Sequence, residues 1–262
     1  MIELVPALRG GIAPLFEGIE ETLVWSCLDG SMGRAWADDA AQPQSARIIT
    51  GEMCFFGGKP YVELIRDLFN GYRFSELLIC DPAGEWLKLL QAKYGERLNC
   101  VTRYAFEKTA DFDRERLRAN IAALPQEYEC RLFDGELYDQ AMSQGWSHSF
   151  CDHFEDGEDY LRRGIGVGIL RNGELVAGAS SYTVYRGGIE IEIDTREDCR
   201  RQGLARVSAS ALILACLERG LFPSWDAANL WSVSLAEQLG YRFAGEYPAW
   251  ILPQFQSNES NG

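Results

Sequence analysis

The stretch Arg200-Arg201-Gln202-Gly203-Leu204-Ala205 joins a strand-like run to a long apolar helix, and it decides the fold. The first N–H groups of a helix have no partners within the helix, and the helix dipole favours negative charge there. Gly203 would let the backbone approach an anion closely, and Ala205 keeps the first turn clear of bulk. A Gly before a helix also fits an ordinary loop. The surrounding elements favour a diphosphate-binding loop.

The residues before this loop predict three strands, Gly166–Leu170, Glu174–Tyr185 and Ile189–Asp194. Asn172-Gly173 separates the first two, and this dipeptide is the strongest short hairpin signal because a type I′ turn needs positive φ at both central residues. The residues after the loop, Leu204–Leu217, are apolar on nearly every side, which indicates a buried helix. An antiparallel meander therefore leads into a buried helix.

The rest of the C-terminal half completes an alternation of strands and helices. Strands are predicted at Tyr128–Phe133, Leu221–Trp225 and Tyr241–Ile251, and helices at Gly135–Met142, Glu158–Arg163 and Asn229–Leu239. We therefore predict one domain over residues 127–253, followed by a frayed tail at 254–262.

The N-terminal half also alternates helix and strand signals, but it carries no chemical motif. Ala46–Phe56 predicts a strand and Tyr61–Phe69 a helix. The segment Glu107–Gln126 is polar and charged, and the predicted boundary lies at its end, so residues 1–126 are predicted to form a separate α/β domain of unassigned role.

Composition excludes several classes of protein. The net charge of −14 opposes binding to nucleic acid and is compatible with a cationic substrate such as an amine. No run of eighteen apolar residues and no basic segment before an apolar N-terminal run occurs, so neither membrane insertion nor secretion is predicted. The eight cysteines form no Cys-x-x-Cys pair, which indicates reduced, buried thiols in a cytoplasmic protein.

The order of elements and the loop together resemble the GNAT acetyltransferases. Arg200–Ala205 matches the family's coenzyme A loop, Gln/Arg-x-x-Gly-x-Gly/Ala, and Trp225-Asp226-x-x-Asn229-x-x-Ser232 resembles its second motif block in one bacterial branch. The resemblance covers about half of the chain. It implies an α/β (α+β) fold with a mixed, mostly antiparallel central sheet flanked by helices, in addition to the N-terminal α/β domain.

The resemblance also assigns the cofactor, acetyl-coenzyme A, to particular residues. Backbone amides from Gln202 to Ala205 would hold the diphosphate, and the end of the third strand would pair with the pantetheine arm between two strands splayed apart. Asn229 would lie near the thioester, although Asn also suits a helix N-cap. The implied cofactor-binding residues are Ile193, Asp194, Thr195, Arg200, Arg201, Gln202, Gly203, Leu204, Ala205, Asn229 and Ser232.

Acetyl transfer to an amine needs a base for the ammonium and an acid for the leaving thiolate. Glu190, Glu192 and Asp194 alternate along one strand and share a face. The family often places a base glutamate there, so Glu192 and Glu190 are the candidate catalytic residues, although a solvent-facing polar stripe gives the same pattern. The family's usual acid, a Tyr seven residues after Asn229, is replaced by Ala236.

The segment His148–His153 contains both histidines of the chain, together with Cys151. Its spacing matches no standard zinc pattern, so we predict no metal site. A plain loop or a contact with the acceptor substrate stays open for this segment.

Three functions follow from these expectations. The first is transfer of an acetyl group from acetyl-CoA to a primary amine by direct attack, without an acyl-enzyme. The second is a non-catalytic acyl-CoA-binding module, suggested by Ala236. The third gives the N-terminal half a part in substrate recognition or in a homodimer contact. The acceptor, a small-molecule or peptide amine, is not specified by the sequence.

Overall fold

The computed structural model describes residues 1–72, 74–81, 84–109 and 111–254, and it divides the chain into two compact units. Unit 1 comprises residues 1–103 and 247–262, and unit 2 comprises residues 104–246. The chain leaves unit 1 within one strand and returns to it within another. The predicted tail lies outside the described residues beyond Gln254.

This division differs from the predicted boundary at residue 126. The segment 107–126 packs with unit 2 rather than with the N-terminal domain, because Phe112 and Leu117 are buried in the same apolar cluster as Ala209 and Ile213 of unit 2. The segment therefore belongs to the core of unit 2. Its surface charges conceal this from a reading of composition alone.

Unit 1 contains a sheet of mixed direction. Its strands are β1 (Ile2–Leu4), β2 (Arg34–Ala37), β3 (Ser45–Thr50), β4 (Met53–Gly58), β5 (Glu76–Cys80), most of β6 (Asn99–Phe106) and most of β13 (Phe243–Pro253). Its helices are α1 (Pro6–Arg9), α2 (Thr22–Leu28) and α3 (Leu87–Tyr94). Consecutive strands from β1 to β4 pair antiparallel, β4 pairs parallel with β5, and β5 pairs antiparallel with the end of β13.

Two predictions in this unit are wrong. The run Ala46–Phe56 is not one strand but the hairpin of β3 and β4, which turns at Gly51 with φ of 55°. The run Tyr61–Phe69 does not form an α-helix, since only Val62–Ile65 forms a turn of 3-10 helix. The polypeptide after β4 therefore reaches β5 without a long helix.

Unit 2 contains the elements that were predicted around the Arg200–Ala205 loop. Its strands are β7 (Tyr128–Leu132), β8 (Gly166–Arg171), β9 (Glu174–Tyr185), β10 (Gly188–Thr195), β11 (Phe222–Ser224) and β12 (Asp226–Ala227). Its helices are α4 (Arg114–Ala122), α5 (Gly135–Ser143), α6 (Gly157–Arg163), α7 (Leu204–Glu218) and α8 (Leu230–Leu239). The strand order is β11-β10-β9-β8-β7, in which only β10 and β11 run parallel.

The meander of unit 2 is confirmed, including its first hairpin. Asn172 and Gly173 have φ of 55° and 82°, as a turn with two left-handed residues requires. Helix α7 packs on one face of the meander, and α5 packs on β9 from the other. The sheet is thus mixed, mostly antiparallel and flanked by helices, which confirms the predicted fold class. No helix of the described residues is long and apolar enough to cross a bilayer.

Candidate active site

The two parallel strands of unit 2, β10 and β11, pair over only three residues each. Gly188–Glu190 of β10 pair with Phe222–Ser224 of β11, whereas the next strand, β12, pairs with Tyr104 and Ala105 of β6. The edge of β10 that would continue this pairing, from Ile191 to Thr195, therefore borders an opening. A cavity of about 610 Å³ lies there.

This cavity brings together most of the predicted cofactor residues. Of the residues implied by the resemblance, those that line it are Ile193, Asp194, Thr195, Arg200, Arg201, Gly203, Leu204, Ala205, Asn229 and Ser232. Gln202 is not among them, because its side chain turns away and accepts a hydrogen bond of 2.7 Å from the Tyr128 hydroxyl. That bond anchors the loop to β7.

The backbone conformation of the Arg200–Ala205 loop depends on glycine at position 203, where the loop enters α7. Gly203 has φ of 80° and is the N-cap residue of α7, so it presents the first turn of that helix to the cavity. Arg201 also has positive φ, 63°. The Arg200 guanidinium donates from Nε to the Thr195 carbonyl at 3.0 Å, which ties the loop to the end of β10. A diphosphate would meet backbone amides and positive charge here.

The electrostatic character of the cavity is positive despite the acidic chain. Arg200, Arg201 and Arg206 line it, and Asp194 is the single carboxylate among its described lining residues. Arg206, on the first turn of α7, was not predicted from sequence. Its side chain is exposed, on the same side of that turn as the cavity.

Helix α8 closes the cavity on the side opposite β10. The Asn229 side chain accepts a hydrogen bond of 3.0 Å from the Ser232 amide, so the alternative prediction, a helix N-cap, is confirmed. Asn229 also lines the cavity. Trp231, which sequence reasoning missed, lies on the rim with 84% of its surface exposed. An exposed indole beside a cavity is a ready surface for a flat ring.

The two candidate bases lie close to this edge but not in the cavity lining. Ile191 and Ile193 pack with the core cluster that includes Ala209 of α7, so the alternating Glu190 and Glu192 project to the other face of the sheet. Glu192 lies in the part of β10, Ile191–Thr195, whose edge on the β11 side is open. Glu190 lies in the paired stretch.

Their surroundings differ as well. Glu190 is 4% exposed and stands opposite Thr183 and Ser224 in the neighbouring strands. Glu192 is half-buried and stands opposite Ser180, whose hydroxyl is 2.7 Å from the Tyr160 hydroxyl. Glu192 is therefore the more accessible of the two.

A bulge interrupts the pairing at the same place. The register between β9 and β10 shifts between Glu190, which stands opposite Thr183, and Ile191, which stands opposite Ser181, and Tyr182 of β9 lies at this shift. The Tyr182 ring contacts the His153 ring edge-on at 4.2 Å between centroids. Bulges re-aim side chains and are frequent beside active sites. No sequence signal announces this one.

Position 236, where the family usually has a Tyr that acts as the acid, lies in the core of unit 2. Ala236 is fully buried in the cluster that also contains Tyr241. Tyr241 donates its hydroxyl hydrogen to the Pro223 carbonyl at 2.6 Å, and burial raises its pKa well above the ordinary value. Tyr241 is therefore a core aromatic and unsuited to give up a proton near neutrality.

The histidine segment does not assemble a metal site. His148 Nδ1 lies 2.9 Å from an Asp152 carboxylate oxygen, and burial lowers the pKa of His153. Burial raises the pKa of the Cys151 thiol to about 12. Across residues 1–72, 74–81, 84–109 and 111–254, no group of three or more His, Cys, Asp or Glu side chains could hold a metal ion.

Comparison with known proteins identifies the family to which the chain belongs. Residues 13–250 match the family described as GNAT acetyltransferase. The chain belongs to the GNAT acetyltransferase family, and it is accordingly an acyltransferase by class. The match includes most of both units, whereas the motifs alone covered about half of the chain.

Individual relatives agree with this assignment. The chain is 40% identical to a GCN5-related N-acetyltransferase-like protein from Streptococcus suis, with a TM-score of 0.86 over 94% of this chain and 99% of that one. It is 25% identical to the uncharacterized N-acetyltransferase YdfB of Bacillus subtilis (strain 168), over 86% of this chain and 88% of that protein. A tandem GNAT protein from the clavulanic acid biosynthesis pathway is similar in fold alone, at 12% identity and a TM-score of 0.53 over 98% of this chain and 99% of that one.

Proposed function

We propose that this protein transfers an acetyl group from acetyl-CoA to a primary amine by direct attack. The observation that carries the proposal is a single cavity bordered by an open strand edge, Ile191–Thr195, and by the Gly203 loop at the start of α7. An extended polar arm and a diphosphate require these two features side by side.

The residues present fit the two ends of that cosubstrate. The open edge offers backbone N–H and C=O groups to the amides of a pantetheine arm, as one more strand would use them. The first-turn amides of α7 and the guanidinium groups of Arg200, Arg201 and Arg206 suit a diphosphate. Trp231 on the rim offers a flat apolar surface to the adenine ring.

The carboxylates on the other face suit the proton transfer. Acetyl-CoA supplies a thioester, whose carbonyl carbon is the electrophile. An amine reacts only after losing its ammonium proton, and Glu192, with Glu190 beside it, is placed to accept that proton directly or through water. The C–N bond then forms, the C–S bond breaks, and a proton returns to the thiolate.

The leaving group in this proposal is protonated without a tyrosine. Position 236 is a buried alanine and Tyr241 is committed to the Pro223 carbonyl, so neither serves. Water can carry the proton that the base removed back to sulfur, which balances the reaction without a further residue.

A covalent acyl-enzyme is not part of the proposal. Cys151 is buried, and its raised pKa keeps the thiol protonated near neutrality. Cys199 borders the cavity beside the Arg200 loop, but its side chain is fully buried. Attack by the amine on the thioester needs neither thiol.

The acceptor in this proposal is a primary amine on a small molecule or a peptide, and the reaction takes place in the cytoplasm. The net charge of −14 favours the approach of a cationic amine and opposes nucleic acid. Glu190, Glu192 and Asp194 extend that negative charge along β10.

Turnover with a panel of amines distinguishes an enzyme from a non-catalytic acyl-CoA-binding module. Polyamines, amino acids, aminoglycosides and peptides with free N-termini are mixed in turn with acetyl-CoA and protein, and released thiol is measured. Thiol release that needs both an amine and the protein supports the proposal. Tight acetyl-CoA binding without release for any amine would favour the binding module.

A further inference from the structure

Apart from α4, α7 and β12 of unit 2, the two units share one order of elements. The shared order starts at β1 in unit 1 and at β7 in unit 2. In each unit a strand and helices are followed by three antiparallel strands, a strand parallel to the third, a helix and a final strand. In unit 1 the parallel pair is β4 and β5, and in unit 2 it is β10 and β11. Each pair covers only three residues of each strand. Unit 1 therefore has, at Phe56–Gly58, the counterpart of the open edge of β10.

In unit 1 this edge is occupied by a side chain. Trp86 follows β5 and precedes α3, is 1% exposed, and stacks on Phe56 with 4.7 Å between ring centroids. Its indole Nε1 donates to the Gly58 carbonyl at 3.1 Å. Trp86 thus uses a strand-edge carbonyl that a pantetheine arm would need, and its ring fills the adjoining space.

Unit 1 also lacks the element that would hold a diphosphate. Where unit 2 has the Gly203 loop and the fifteen residues of α7, unit 1 has a single 3-10 turn at Val62–Ile65. Among the described residues between β4 and β5, no long helix presents its first-turn amides at the end of β4.

The space that remains beside Trp86 has the wrong charge for a phosphate-bearing ligand. A cavity of about 370 Å³ is left there, and Glu17, Asp81 and Glu85 line it. Its described lining residues include no arginine or lysine. The corresponding cavity of unit 2 has three arginines.

We infer that the chain contains two copies of one fold, and that the cleft of unit 1 is closed to acyl-CoA by Trp86. Each chain therefore binds one acyl-CoA, in unit 2. This inference rests on the proposed function for the unit 2 cleft.

Native mass spectrometry with saturating coenzyme A tests the inference on the full chain. We expect one coenzyme A per chain in the wild type, and in Gly203→Val one that is bound at least about tenfold more weakly. Glu85→Lys, which adds a positive charge beside the unit 1 cavity at an exposed position, should keep one coenzyme A with unchanged affinity.

The masses separate the ways in which the inference can fail. Two coenzyme A molecules on the wild type, or one that binds to Gly203→Val with wild-type affinity and to Glu85→Lys more tightly, would overturn it. A wild-type chain that binds none would instead overturn the proposed function, and the expected stoichiometry with it.

Discussion

Gly203 carries the largest burden of any single residue in the proposed cofactor site. Its φ of 80° lies in the left-handed region, where a β-branched side chain is strained. We expect Gly203→Val to shift the loop, misplace the first-turn amides of α7 and weaken acetyl-CoA binding by about tenfold or more, the equivalent of a lost charge-assisted contact. Calorimetric titration measures this affinity.

A matched control separates this effect from general backbone strain. Gly187, in the turn between β9 and β10, has φ of 96° and open space around its Cα. Gly187→Val should cost stability without changing acetyl-CoA affinity. Equal affinities for wild type and Gly203→Val, with both folded, would contradict the assignment of the loop.

Glu192 and Glu190 are tested by removing charge while keeping shape. Glu192→Gln or Glu190→Gln should lower the turnover number about a hundredfold or more, the usual range for loss of a general base. We expect the larger effect for Glu192, because it is more accessible and lies in the stretch of β10 with an open edge. Steady-state kinetics with a saturating amine measures this.

The affinity for acetyl-CoA should change little in these variants, since neither side chain lines the cavity in the described structure. Glu129→Gln, at an exposed position of β7, is the control and should keep wild-type turnover. Wild-type turnover in both single variants and in the double variant would make the stripe a polar sheet face. The base would then be sought among His148, His153 and water.

At the scale of elements, α6 supports the face of the sheet on which Glu192 lies. Tyr160 of α6 shares a hydrogen bond with Ser180, the residue opposite Glu192. The helix is held by Asp159, which is 4% exposed and forms ion pairs with Arg162 and Arg163. The hydrogen bond from Arg163 is the largest cause that lowers the pKa of Asp159 to about 2.

This ion pair predicts a pH dependence of stability. The folded pKa is below the ordinary value of 3.8, so the stabilisation is complete above about pH 5 and is lost as the pH falls through the folded pKa of about 2. It amounts to about 2 kcal/mol of unfolding free energy. Urea titrations at several pH values should show a smaller loss over this window in Asp159→Asn than in wild type. Glu158→Gln, at the exposed neighbouring position, should behave like wild type.

A second prediction concerns the stability of unit 1, because the Trp86 side chain fills the space between β4 and β5. Trp86→Ala removes the stack on Phe56 and the bond to Gly58, and it should lower the free energy of unfolding by about 3–5 kcal/mol. Trp231→Ala, at a position 84% exposed, should change it by less than about 0.5 kcal/mol. Similar losses in the two variants would show that Trp86 is not a packed filler.

The elements around the loop were predictable from sequence because local chemistry determines them. Asn172-Gly173 specifies a turn, Asn229 specifies a cap, and the apolar run Leu204–Leu217 specifies a buried helix. The helix predicted at Tyr61–Phe69 is wrong because apolar residues at helical spacing can also pack into a core from an irregular segment. Leu64, Ile65 and Leu68 fill the core of unit 1 from an irregular segment.

At the scale of the whole molecule, the division into units could not be read from local patterns. Unit 1 takes its last strand from residues 247–253, of which Trp250–Pro253 pair with Glu76–Ile79 of β5, far earlier in the chain. No periodicity records such a long-range pairing, and the charged segment 107–126 conceals Phe112 and Leu117. The proposed cofactor loop could be predicted from the sequence because it consists of contiguous residues, Arg200–Ala205. The closed cleft of unit 1 could not, since Phe56 and Trp86 meet only in the folded chain.

A crystal structure of the full chain with bound coenzyme A would test directly whether the cofactor occupies the cavity of unit 2. We predict electron density for one molecule in the cleft of unit 2, with the diphosphate at the Gly203 loop and the pantetheine arm along Ile193–Thr195. The sulfur should lie toward Glu192. Density elsewhere, or beside Trp86 in unit 1, would contradict the account.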